Sequence, residues 1–443
     1  MAFLVIAFIA LIGPLSAAAA EPDGPAQATD PCALTLAPPE GAEKEDLEII
    51  RLQNKVRTTS DSTGWKEQLG WAFVQKARDS FDPGCYKLAE QCALCLETSK
   101  PGCAEALLLR AHVLNNLHQF KEAEALAREL VKSRGLHFDY GVLGDALMEQ
   151  GKLDQAVVAY QAMMDQKPSP QAYSRAAHIR WLKGDLTGAI ELMSWAAGAS
   201  SPRDPESGAW TRVRLARYKW QAGESKRALE LIDEALELQP QYPPALLERG
   251  RVLLSSDKAL EAQELLKRAV AFNPLPEYRW TLSEALRVAD RVDEAKAVEA
   301  ELKRRGATDD PRTFSLYLAT RGEDVAIALR LAQAELQTRA DVFTLDALAW
   351  AWLANGSSAQ AWIFAQRALA EGTQDGRLFL HASVIATAVG QHEKAAAYLA
   401  KATSMQQMLL PSERKILAVT QAFNPISDST NIETNQQITR ANR

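Results

Sequence analysis

Apolar side chains along this chain return at helical spacing in short runs, and the runs are broken at near-regular intervals by Gly, Asn or Asp and by prolines. The pattern is clearest over residues 137–169, HFDYGVLGDALMEQGKLDQAVVAYQAMMDQKPS. Two amphipathic stripes flank Gly151-Lys152, which predicts two antiparallel helices joined by a tight turn. Such helices cross closely only where side chains are small, and Gly144 and Ala156 occupy those places. Tyr140, Leu143, Tyr160 and Met163 fill the flanks, Gly151 closes the first helix, and Pro168 stops the second because it cannot donate to the helix ladder.

The same unit recurs. With the small residue of the second helix as a ruler, the chain reads Ala89, Ala123, Ala156, Ala189, Ala228, Ala262, Ala295, Ala328, Ala361 and Ala395, at separations of 34, 33, 33, 39, 34, 33, 33, 33 and 34 residues. A fixed period of this length is the mark of a stacked array. The unit resembles a tetratricopeptide repeat. That resemblance implies an all-α fold, a right-handed superhelical solenoid of about ten helix-turn-helix repeats over residues 63–409. The 39-residue step predicts an exposed Pro- and Ser-rich insertion at 200–208 (SSPRDPESG).

The flanks differ in composition. Residues 1–20 carry no charge, run apolar to Gly13-Pro14 and end in small residues, which predicts a secretory signal cleaved after Ala20, or an anchor if it is left uncleaved. Residues 21–45, rich in proline, read as a flexible tether; 46–62 as an N-terminal capping helix; 410–423 as a polar-faced C-terminal capping helix; and 424–443 as a disordered tail. A charged fraction of 24% and a hydrophobic fraction of 47% are those of a folded, water-soluble chain. A net charge of -6 gives no whole-chain attraction to nucleic acid, and to a membrane only through residues 1–20.

Five cysteines sharpen the compartment question. Cys85, Cys92, Cys95 and Cys103 cluster in and after the first repeat, and export favours disulfides among them. Cys95 and Cys103 can meet across the Ser99–Gly102 turn, whereas Cys85 reaches Cys92 only from off the helix, because seven helical residues rise ~10 Å. Five is odd, and Cys32 on the tether is the thiol left over, free or paired with a partner. Inert thiols, a metal site and a redox pair stay open, the zinc spacing being poor and the haem-attachment His absent.

Function must come from a site on this scaffold. In the family it resembles, first helices line a concave groove that holds peptide or protein segments. Counting back from the ruler alanines places Arg175, His178, Trp181, Arg214, Arg217, Trp220 and Arg251 on that wall, with Trp280 and Arg287 further along. Guanidinium forks suit carboxylates and indoles supply area, so the expected partner is a protein or extended peptide that is acidic or ends in a carboxylate. The Lys and Asn set of the co-chaperone type is not matched: Leu108, His112, Val142 and Arg175 stand near those places. No Gly-rich phosphate loop, nucleophile elbow or metal-binding helix motif occurs, so no enzyme, cofactor or metal is expected. The reading is an exported interaction scaffold of the periplasm or cell exterior. A self-associating structural solenoid and glycan recognition by the groove Trp residues are the alternatives.

Overall fold

The computed structural model describes residues 30–423, so the signal segment expected at 1–20 and the tail expected at 424–443 lie outside the described residues. A short helix, α1 (Pro31–Thr35), precedes α2 (Lys44–Thr58). Ten consecutive antiparallel pairs follow among the described residues. They are α3 (Thr63–Ser80) with α4 (Gly84–Ser99), α5 (Ala104–Asn116) with α6 (Phe120–Ser133), α7 (His137–Glu149) with α8 (Leu153–Gln166), and α9 (Pro170–Leu182) with α10 (Leu186–Gly198). The middle is α11 (Pro205–Gln221) with α12 (Ser225–Leu238), α13 (Pro243–Ser255) with α14 (Ala259–Phe272), and α15 (Pro276–Val288) with α16 (Val292–Asp309). The last three are α17 (Pro311–Arg321) with α18 (Val325–Thr338), α19 (Val342–Ala354) with α20 (Ser358–Leu369), and α21 (Gly376–Ala388) with α22 (His392–Ser404). A 3-10 turn (Gln406–Met408) leads into α23 (Pro411–Phe423). The fold is an all-α solenoid.

Close crossing is what fixes each pair. All ten ruler alanines have 0% of their surface exposed, so a larger side chain at any of them has no room. At Gly144 an added Cβ would run into the Tyr160 ring for the same reason. The turn inside each pair holds a left-handed residue, Gly at 151, 184, 223, 322, 356 and 390, but Phe81, His118, Asp257 and Asp290 adopt it too, each at φ 59°.

The array then coils on itself. The last carbonyls of a helix have no partner within it, and in the first coil those carbonyls are taken up by the second. Ala340 N–H donates to Glu149 O at 3.0 Å, Thr373 Oγ1 to Leu182 O, Gln407 Nε2 to Trp220 O at 3.4 Å, and Arg414 Nη2 to Leu254 O at 3.2 Å. Ion pairs Arg339–Glu149 (2.5 Å) and Lys183–Glu371 (2.9 Å) reinforce the seam. It is also apolar: Leu153, Trp181 and Leu182 share one buried cluster with Val342, Leu345, Ala368 and Leu378. The C-terminal end of α7 thus meets the N-terminal end of α19, and α9 meets α21, six pairs further on in each case.

Two expectations need correction here. Residues 200–208 are not simply an exposed loop. The extra residues lengthen α11 at its start and bury Glu206, which accepts from Tyr242 Oη at 2.9 Å and pairs with Arg78 of α3, locking the first pair to the fifth. Residues 30–45 are not a free tether either: Gln53 Nε2 donates to Thr35 O (2.9 Å) and Ala37 O (2.8 Å), and Arg57 Nη2 to Leu36 O (2.7 Å).

Candidate functional site

The first helices α7, α9, α11, α13 and α15 carry the residues expected on the inner wall, and ion pairs of Arg175, Arg217 and Arg251 link one of these helices to the next. Arg175 forks Asp145, Nε to Oδ1 at 2.8 Å and Nη2 to Oδ2 at 2.6 Å, and Tyr160 Oη donates to the same Oδ1 at 2.8 Å. Arg217 donates to Glu248 at 2.9 Å, and Arg251 bridges Glu248 (3.3 Å) and Glu277 (2.8 Å). Burial alone would raise the Glu277 pKa; the charges of Arg251 and Arg217 override it and hold it down to about 2. Arg287 forks Glu299 at 2.6 Å on both arms.

Arg214 stands apart. Its Nη2 lies 3.0 Å from His178 Nδ1, and its guanidinium sits between two rings of its own helix, 6.0 Å from the Trp210 centroid and 5.7 Å from Tyr218. Burial, then the Arg214 charge, push His178 down to about 3, so the imidazole is neutral at ordinary pH. A guanidinium can only donate, so Nδ1 accepts and the ring proton is on Nε2. Of the five wall arginines, Arg214 alone has no carboxylate partner among the described residues, and its Nε is buried without a hydrogen bond.

The predicted tryptophans are not groove walls. Trp181, Trp220 and Trp280 are 4%, 3% and 2% exposed, and Arg251 is buried as well. The second coil covers them: Trp181 stacks on Phe343 at 5.7 Å and donates Nε1 to Gln221 at 2.8 Å, Trp220 O accepts from Gln407, and Arg377 lies over the Trp280 ring at 5.2 Å. With their faces covered, these indoles offer no platform for a sugar ring. Periodicity within a repeat says nothing of the pitch that brings distant repeats together, which is why Phe343, Arg377 and Arg339 escaped notice. Trp210 and Tyr218, one helical turn either side of Arg214, were legible from spacing alone.

The cysteine expectation is also corrected. Cys32 pairs with Cys95, their Cα atoms 4.9 Å apart, because α1 docks on the end of α4; Cys85, Cys92 and Cys103 are buried thiols. Burial raises the Cys85 and Cys92 pKa values, which favours the neutral thiol over the nucleophilic thiolate in both. Among the described residues, no group of three or more His, Cys, Asp or Glu side chains is placed to hold a metal, and no helix is long and apolar enough to cross a membrane.

Comparison with solved structures places the chain beside yeast Tom70, with a TM-score of 0.35 and 12% identity over 88% of this chain and 95% of that one. A stretch of 186 residues is 29% identical to cellulose synthase operon protein C of Pseudomonas fluorescens (strain SBW25), covering 40% of this chain but only 14% of that protein. Family models described as tetratricopeptide repeat match residues 142–205 and 219–282, the stretches that build the inner wall around Arg175, Arg251 and Trp280. With two matched stretches and the same small-residue crossing in every helix pair, the chain carries tetratricopeptide repeats.

Proposed function

We propose that the protein is a non-catalytic interaction scaffold whose inner wall takes a carboxylate-bearing segment of a partner protein at Arg214. The observation that carries this reading is the missing counter-ion. A guanidinium held within the wall against a neutral imidazole and two aromatic faces lacks the carboxylate that each neighbouring arginine has, and an uncompensated charge in a partly desolvated place favours an anionic ligand. Trp210, 37% exposed, supplies the accessible aromatic face beside it.

Action outside the cytoplasm belongs to the same proposal. It is supported by the charge-free segment 1–20 and by the Cys32–Cys95 bridge, which persists in an oxidising compartment. The test is fluorescence anisotropy with a labelled hexaglutamate peptide at two salt concentrations. Arg214→Glu should weaken binding by about a hundredfold, the worth of a charge-assisted fork plus repulsion, while Arg287→Ala, whose partner is internal, leaves it within about twofold. Equal binding by Arg214→Glu and the natural chain removes the reading.

A further inference from the structure

A carboxylate of the last described helix is already held by an arginine of the second coil. Glu413, near the start of α23, has 0% exposure and is clamped through Oε1 by Arg377 Nε, while its Oε2 accepts from Leu410 N–H at 2.8 Å. Arg377 in turn lies over the Trp280 ring at 5.2 Å. Trp280 Nε1 donates to Glu284 at 3.1 Å, and the other oxygen of Glu284 takes Ser412 N–H at 3.0 Å. Arg414 reaches Leu254 O, so α23 is held to α13, α15 and α21 by three successive residues.

We propose that Arg377 of α21, backed by the buried Trp280 ring of α15, is a second carboxylate-binding site, filled in cis by Glu413 of α23, and that an acidic segment of a partner competes with α23 for it. This inference rests on the acidic-segment reading above. Three features support it. The pairing is the one expected of a ligand: a guanidinium, backed by an indole face, receiving one glutamate carboxylate. It is linked by charge to the ion pairs of the first helices, since the Arg377 charge also contributes to holding Glu277 down. And α23 is the last helix among the described residues, so it can leave without any later described pair having to move. Its apolar hold is one-sided: Leu417 is buried, whereas Val419 is 56% exposed.

The full chain and its Glu413→Gln variant are compared for binding of labelled hexaglutamate. Emptying the clamp should tighten binding about tenfold, and adding Arg377→Ala to Glu413→Gln should take that gain away. Equal affinity of the Glu413→Gln chain and the natural chain overturns competition in cis while leaving the Arg214 reading intact. Absence of binding by either chain sinks the acidic-segment reading itself, and this inference with it. A second measurement needs no variant: in the natural chain, saturating hexaglutamate should speed amide hydrogen exchange over residues 411–423 about tenfold, and protection unchanged by the peptide overturns the proposal.

Discussion

At the scale of single residues, the wall is a run of arginines that are all paired with carboxylates except Arg214, which faces a neutral imidazole. His178 shows the consequence for stability. Burial and Arg214 hold it at about 3, and burial holds His112 at about 4, both well below the 6.5 of an unfolded chain. Between those values the unfolded chain binds protons that the native state refuses, so stability is complete above pH 6.5 and falls as pH drops. The fall is at most about 1.4 kcal/mol per pH unit for each imidazole, and less here because both side chains keep partial contact with water. Urea midpoints measured from pH 7 to pH 4.5 should therefore decline, and His178→Asn should flatten part of the decline. An unchanged slope in the variant refutes a neutral His178. Glu277 does not confuse the window, because its loss runs lower, from 4.5 down towards 2. What was readable beforehand is the register: the spacing put Arg175, Arg214, Arg217 and Arg251 on the first helices of successive pairs, where they stand. Which of them are neutralised was not readable: Asp145, Glu248 and Glu277 pair with Arg175, Arg217 and Arg251, none reaches Arg214, and a repeat period does not choose between salt-bridged and open arginines.

At the scale of elements, sequence and structure agree wherever a local chemical rule decides. Gly marks the turns at 151, 184, 223, 356 and 390, and proline opens α9, α11, α13, α15, α17 and α23. Agreement fails where an element is defined by what it packs on. The proline-rich stretch at 21–45 has the composition of a linker, yet its described part forms α1, a helix of 5 residues far too short to persist alone. Its place depends on Gln53, Arg57 and the Cys32–Cys95 bridge, none of which composition reveals. The bridge spans a sequence separation of 63 residues, for which the chain-entropy estimate is about 4 kcal/mol. Cys32→Ser should accordingly lower the thermal midpoint to that of the natural chain under reductant, and reductant should then have no further effect. A Cys32→Ser protein that still loses stability under reductant would point to a second bridge among Cys85, Cys92, Cys95 and Cys103. The misread insertion at 200–208 teaches the same lesson, since its purpose lies in Arg78, more than a hundred residues earlier in the chain.

At the scale of the whole molecule, the decisive feature is that the second coil lies on the first. An open repeat array is quasi-one-dimensional: each repeat touches only its neighbours, and stability is a sum of local terms. Here Trp181 stacks on Phe343, Glu149 binds Arg339, and Leu182 shares a buried cluster with Leu345 and Leu378. The pairs α7, α9 and α11 are thus stabilised by elements that follow some 150 to 190 residues later. That contact removes the three tryptophans from the groove, and it also changes how the molecule should come apart. Phe343→Ala deletes a half-buried ring at the centre of the seam and should cost about 2 kcal/mol, below the value for a fully buried ring. In a one-dimensional array the loosening would stay within α18 to α20. With a shared core, amide exchange in α9 and α11 should accelerate together with that in α19 and α21, and the denaturation curve should remain a single transition shifted to lower denaturant. Acceleration confined to the second coil, or a curve that splits in two, would show that the coils merely touch; joint acceleration would mean that the order of the helices around Arg214 and the integrity of the C-terminal repeats are one equilibrium.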